Sequence, residues 1–123
     1  MKNYITAVVL SALLFTSCAN EFNRVYKTND YSYKYEYAKE CYAQGKYTRA
    51  STLLQGLVTL QKGTDNAQES LYMLGMAEYN SKDYEGAAAT FKKYFSSYPK
   101  GAYAQEAEFY AGMSLYISTP EPR

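Results

Sequence analysis

Histidine and tryptophan are absent from the 123 residues. Without His there is no imidazole general base, no Ser-His-Asp arrangement and no His-ligated metal site. Cysteine is nearly absent: Cys18 and Cys41 are too few for a disulfide framework or a Cys-rich zinc site. An excess of either charge is lacking too, since 13 Lys and Arg face 12 Asp and Glu, for a net charge of +1. That balance gives no electrostatic footprint for nucleic acid and no polybasic membrane patch. The sequence has no Gly-rich phosphate loop, no metal-ligand spacing and no nucleophile elbow. The carboxylate pairs Glu36/Glu40 and Glu106/Glu108 and the run Lys92-Lys93 lie on polar stretches and read as solvated faces. No catalytic constellation emerges, so neither an enzyme nor a cofactor is expected. Length allows one small domain. What is abundant is tyrosine, 16 residues of it.

The N-terminus reads as an export signal over 1–17. Lys2 precedes an apolar run from Ile5 to Phe15, too short for the roughly 20 residues a spanning helix needs. Thr16-Ser17-Cys18 follows and resembles the lipobox of bacterial lipoproteins, with Phe15 standing where an aliphatic residue is commoner. The resemblance implies cleavage before Cys18 and a covalent lipid on its thiol; the alternative is cleavage elsewhere, with Cys18 an ordinary thiol. Residues 18–29 are expected as a linker. Cys41 is expected as a small buried hydrophobe.

The remainder repeats every 37 residues. Tyr35 falls on Tyr72 and Phe109, Ala38 on Gly75 and Gly112, Tyr42 on Tyr79 and Tyr116. Tyr47 falls on Tyr84, Ala50 on Ala87, and Leu54 on Phe91. Within one copy the spacing is helical: Leu71, Leu74, Gly75 and Glu78 recur at three and four, as do Ala87, Phe91, Tyr94 and Phe95. The polar run Asn80-Ser81-Lys82-Asp83 is a turn able to cap the next helix, and Tyr98-Pro99-Lys100-Gly101 ends it. Tyr31 to Tyr37 alternates like a strand, yet its aligned segment Gln68 to Leu74 does not, so helix is expected there. The spacing predicts an all-α chain with helices near 30–44, 47–61, 66–80, 84–97 and 102–117. These make two hairpins and one unpaired helix within 30–118, then a tail over 119–123. An unpaired amphipathic helix would expose an apolar face, so the chain is expected to be an incomplete solenoid.

The repeat resembles the tetratricopeptide repeat (TPR). Ala38 with Ala50 and Gly75 with Ala87 match its paired small residues, Tyr47 and Tyr84 its aromatic at the start of the second helix, Leu54 and Phe91 its bulky residue, and Pro99 its closing proline. Lys34, Leu71 and Glu108 replace the usual early aromatic of the first helix. The resemblance implies a helical-hairpin solenoid whose first helices line a groove. Candidate groove residues are Tyr35, Lys39 and Tyr42, then Tyr72, Met76 and Tyr79, then Phe109, Met113 and Tyr116. Such Tyr and Met side chains suit extended peptide. Packing between helices is the competing explanation for Tyr42, Tyr79 and Tyr116, and the expected one for Tyr47 and Tyr84.

TPRs close behind a lipid anchor, with Asn23-Arg24-Val25-Tyr26, Gly45-Lys46-Tyr47, Phe91-Lys92-Lys93-Tyr94-Phe95 and Gly112-Met113-Ser114-Leu115-Tyr116, resemble the N-terminal part of the BamD family of outer-membrane-protein assembly lipoproteins. That resemblance implies an outer-membrane anchor facing the periplasm. It also implies partnership with a BamA-type barrel insertase and recognition of unfolded outer-membrane proteins. A TPR-based glycan- or nutrient-binding surface lipoprotein is the alternative; absence of Trp and short connections count against it.

Overall fold

The computed structural model describes residues 3–6 and 20–120. The signal over 1–17, the Cys18 lipidation position and the end of the tail lie wholly or mostly outside the described residues. Residues 3–6 are helical, and a helix α1 covers 20–27. Five longer helices follow: α2 (Tyr31–Ala43), α3 (Tyr47–Leu60), α4 (Ala67–Asn80), α5 (Tyr84–Ser97) and α6 (Ala104–Ser118). No strand occurs among the described residues. The alternating tyrosines of 31–37 are helical, as the repeat required. Asp30 starts that helix by accepting the Tyr33 N–H at 3.1 Å on Oδ1.

Each hairpin turns in the same way. After α2 the chain passes through Gly45 at φ +77°, and after α4 through Lys82 at φ +70°, one repeat later. The Gly45 and Lys46 N–H groups donate to Tyr42 O (3.0 Å) and Cys41 O (2.8 Å). The Lys82 and Asp83 N–H groups donate to Tyr79 O (3.1 Å) and Glu78 O (2.9 Å). This is the Schellman pattern, which satisfies orphan carbonyls through one left-handed residue. Asp83 then caps α5, its Oδ1 accepting the Gly86 N–H at 3.1 Å, whereas Lys46 offers α3 no such cap.

Two cores stack along the solenoid. The first gathers Val25, Ala38, Cys41, Ala50, Leu53, Leu54 and Leu57, all buried. The second gathers Leu71, Ala87, Phe91, Tyr94, Ala107 and Ala111. Half-buried Val58 packs against both and joins them. Cys41 is a free, buried thiol whose pKa is pushed up by burial, partly offset by the nearby cations Lys46 and Arg49. Gly75 faces the Phe91 ring: a Cβ there would stand 2.6 Å from it. The close approach expected between Gly75 and Ala87 is therefore made first of all by the aromatic one turn beyond Ala87.

The expected linker 18–29 differs from the structure over 20–27. Val25 is fully buried in the first core and Phe22 packs against it. The Arg49 guanidinium lies 5.6 Å from the Phe22 ring centre. Lys34 Nζ donates to the Tyr26 carbonyl at 2.8 Å and ties the short helix to α2. Two apolar residues in eight are too few to display a period, but they suffice to cover the open flank of the first hairpin.

Candidate functional site

The first helices of the three repeats, α2, α4 and α6, are joined side by side. The Tyr35 hydroxyl on α2 donates to Glu69 Oε1 on α4 at 2.9 Å. Tyr79 on α4 meets Tyr110 on α6 edge-on, with ring centres 5.0 Å apart. The expected groove residues divide on this surface into three sets.

The first set is committed to the structure. Tyr35 is 3% exposed and its hydroxyl is held by Glu69; burial, followed by that bond, drives its pKa far upward. It is not open to a ligand. Lys39 is half-buried, pairs with Glu36 Oε1 at 2.8 Å and lies 4.8 Å from the Tyr35 ring centre. That pairing, more than any other cause, raises its pKa.

The second set forms a cluster. Tyr72 from α4 and Tyr110 from α6 both meet the Phe91 ring, 6.0 and 5.5 Å between centres, and Tyr110 together with Tyr42 from α2 contributes to raising the Tyr72 pKa. Burial is the main cause of that rise, and Glu106 adds to it; the result is about 12. Tyr42 is raised as well, by burial first and then by Tyr47 and Tyr110. Both phenols therefore stay neutral at physiological pH, able to donate and to accept. Among the described residues, the hydroxyls of Tyr42, Tyr72 and Tyr110 make no hydrogen bond within the chain. The rings are nevertheless braced. Tyr72 stacks flat on Tyr103, 4.3 Å between centres and 5° between planes. Tyr42 and Tyr79 meet Tyr47 and Tyr84 edge-on across their turns, each at 5.4 Å. The ring bodies pack, and three hydroxyl tips remain free. Met76 packs against the second core beside them.

The third set lies open on α6. Phe109 is 61% exposed and Tyr116 79% exposed, while Met113 is half-buried. Phe109 leans edge-on against Tyr110 at 5.2 Å, which joins it to the tyrosine cluster. Tyr116, two helical turns beyond Phe109, makes no ring contact among the described residues.

Tyr110, Tyr103 and Glu106 were not among the expected site residues. Tyr110 has a signal in the repeat: its counterparts are Glu36, exposed, and Met73, packed on the first core. That position turns apolar wherever a hairpin precedes it. Tyr103 had no such signal, because it sits in the connection before α6 and is fixed by contact. Its N–H donates to the Tyr94 hydroxyl at 3.2 Å, which in turn donates to Gln68 Oε1 at 3.2 Å.

Among the described residues, no group of three or more His, Cys, Asp or Glu stands where it could hold a metal ion. No helix among them is long and apolar enough to cross a membrane. Residues 30–62 and 69–101 each match a family model described as tetratricopeptide repeat. The two matches coincide with α2–α3 and α4–α5, one hairpin each. No curated protein matches the chain.

Proposed function

The chain is a tetratricopeptide-repeat protein, a fold that serves as a protein-interaction scaffold, and we propose that its tyrosine face binds extended, aromatic-rich peptide without catalysis. The observation that carries this is the row of Tyr42, Tyr72 and Tyr110 on the first helices of three successive repeats, with hydroxyls uncommitted and rings braced by Tyr47, Tyr103 and Phe91. Braced aromatics lose little side-chain freedom on binding, and their hydroxyls can meet the unpaired N–H and C=O groups of a strand. Phe109 and Met113 extend the face with apolar surface for alternate side chains of the same strand.

The finer reading is an outer-membrane lipoprotein of the BamD type. It is anchored through a lipid on Cys18, faces the periplasm, and works with a BamA-type insertase on unfolded outer-membrane proteins. The Thr16-Ser17-Cys18 run and the alternating, aromatic-rich character of barrel strands support this reading. A Cys18→Ser variant is expected to leave the membrane fraction; its retention there would remove the anchor from the reading.

The face itself is tested by titrating a barrel-strand peptide and, separately, oligosaccharides. The variants are Phe109→Ala and Tyr110→Phe, the first exposed and the second removing only a free hydroxyl. Loss of an aromatic anchor is expected to weaken peptide binding by about 1–2 kcal/mol, and loss of the hydroxyl by less. Because the contact is largely apolar, added salt should change the affinity little. Peptide affinity unchanged in both variants would take the face out of the mechanism. Sugar binding lost in its place would move the protein to the glycan-binding class.

A further inference from the structure

The two junctions between repeats are closed differently. At the second, Tyr103 lies flat on Tyr72, and Gln68 Oε1 accepts from the Tyr94 hydroxyl. One repeat earlier the same four positions hold Asn66, Tyr35, Tyr31 and Leu57. The connection before α4 carries no aromatic, Leu57 has no hydroxyl, and a pocket of about 270 Å³ stands open there. It lies between two complete hairpins, α2–α3 and α4–α5, so no further repeat would cover it. Tyr31, in the first turn of α2, and Leu60, at the end of α3, are its exposed walls, with buried Tyr35 behind them. Gln61 lines it too, only 8% exposed, and its Oε1 is buried with no hydrogen-bond partner in the chain. Thr64 Oγ1 donates its proton to the Gln61 carbonyl at 2.7 Å and keeps its lone pairs. Glu36 is the one charged group on the lining among the described residues; Oε1 pairs with Lys39 at 2.8 Å and Oε2 has no partner among them.

We infer that this pocket binds a guanidinium group on an alkyl chain, the group that arginine carries. The unpartnered Gln61 Oε1, the Thr64 hydroxyl and Glu36 Oε2 call for an occupant that donates. A guanidinium has five N–H donors and no acceptor. It is planar, so it can lie on the Tyr31 ring as Tyr103 lies on Tyr72, and its charge answers Glu36. A neutral phenol would repeat the stacking and leave the carboxylate unanswered. An ammonium would meet the charge, but it is more strongly hydrated and has no plane to stack. Two lysines stand close by, Lys34 at 6.0 Å from the Tyr31 ring centre and Lys39 at 4.8 Å from that of Tyr35. The Tyr26 carbonyl and Glu36 Oε1 hold them, and neither lines the pocket. The volume falls just below the roughly 300–1,000 Å³ of sites for whole drug-sized ligands and suits one long side chain. The inference depends neither on the tyrosine face nor on a lipid at Cys18.

The probe is N-acetylarginine amide, titrated into the purified full chain by calorimetry, with the capped lysine and tyrosine amides as controls. Saturable binding of the arginine probe is expected, with the lysine probe weaker and the tyrosine probe silent. Gln61→Leu keeps the bulk of the side chain and removes the orphan oxygen; it should weaken binding about tenfold, the worth of a hydrogen bond to a charged donor. Glu36→Gln removes the charge at an exposed position and should weaken binding about threefold. The thermal midpoint separates recognition from folding. Burial of an unpaired acceptor opposes folding, so Gln61→Leu should hold or raise the midpoint while binding falls. Free arginine, run beside the capped form, distinguishes the source of the group. Tighter binding of the capped form assigns the pocket to an arginine side chain of a protein, and tighter binding of the free form to a small molecule. No saturable binding of the arginine probe, equal affinity in wild type and both variants, or preference for the tyrosine probe overturns the inference. Phe109→Ala and Tyr110→Phe test the tyrosine face with other probes, so failure of one reading is distinguishable from failure of the other.

Discussion

Gly75 and Gly112 are the same residue at the same position of successive repeats, in the middle of α4 and α6, yet their surroundings are opposite. A side chain on Gly75 would run into Phe91, which is fully buried and has nowhere to swing. A side chain on Gly112 would enter open space. A helix interior gives no reason for glycine, which costs about 1 kcal/mol against alanine there. The reason lies in the helix that comes across it. The difference between the two glycines isolates what a neighbouring helix contributes, with backbone and residue held constant.

The same side chain placed at both positions should have opposite effects. Gly75→Leu is expected to overpack the hairpin and cost roughly 3 kcal/mol, lowering the thermal midpoint sharply. Gly112→Leu gains helix propensity with no clash and should leave the midpoint unchanged or raise it. Equal midpoints for the two variants would mean that Phe91 does not hold its place over Gly75.

How far the sequence carried can be judged from these same elements. The bounds of α2 to α6 followed from spacing because apolar positions at three and four recur in register over two full copies. The unpaired face of α6 followed too, since the repeat says which side each first helix turns to its second. The groove was read less well. Tyr35 belongs to the groove register, but Glu69 comes within hydrogen-bond reach of it only in three dimensions, and the pairing takes it out of use. Tyr103 lies between periodic segments, so its stacking on Tyr72 left no trace in the pattern. The helix over 20–27 was missed because burial of Val25 depends on a surface that α2 and α3 build together.

The two cores also differ in how their far ends are fastened. Where the first repeat has Leu57, an apolar side chain, the second has Tyr94, whose hydroxyl ties Tyr103 to Gln68. Tyr94→Phe keeps the ring and leaves the Tyr103 N–H without that acceptor. A loss of about 1–2 kcal/mol is expected. The selective readout is hydrogen exchange at the Tyr103 amide, which should speed up more than the amides of α3. Unchanged exchange would show that the connection into α6 is held by ring stacking alone.

A third contrast is electrostatic. Cys41 and Glu78 are equivalent, each buried near the end of its first helix. The Glu78 carboxylate lies beside Gly86 and Asp83 and accepts from Thr90 Oγ1 at 2.6 Å. Burial raises its pKa above the ordinary 4.5, Asp83 adds to the rise, and the Thr90 bond opposes it. A carboxyl with a raised pKa in the folded chain binds its proton more tightly there than when unfolded. Its contribution is therefore fully present below about pH 4.5 and is lost as pH rises through the folded value. Glu78→Gln keeps an acceptor for Thr90 and removes the titration. The variant should match wild type in acid and exceed it near pH 7, by an amount on the order of 1 kcal/mol. Parallel stability curves for the two proteins across that range would show that Glu78 is solvated.

The smallest expected effect concerns the turns. Gly45 and Lys82 hold the same left-handed conformation, φ +77° and +70°, and close the same pair of backbone hydrogen bonds. A side chain strains that conformation and glycine does not. Lys82 also stands exposed, so its side chain offers no burial in return. Lys82→Gly is expected to stabilise by a few tenths to about 1 kcal/mol, the relief of strain being partly offset by the greater freedom of glycine in the unfolded chain. Gly45→Lys imposes the same exchange in reverse on the first hairpin and should cost a similar amount. The two changes together recreate each turn with the other's residue, and their effects should nearly cancel, since the turns lie in different hairpins. Urea midpoints of the two single variants and the double variant measure this directly. A stabilising Gly45→Lys, or a destabilising Lys82→Gly, would show that the two turns are not interchangeable and that the second depends on a contact of the Lys82 side chain.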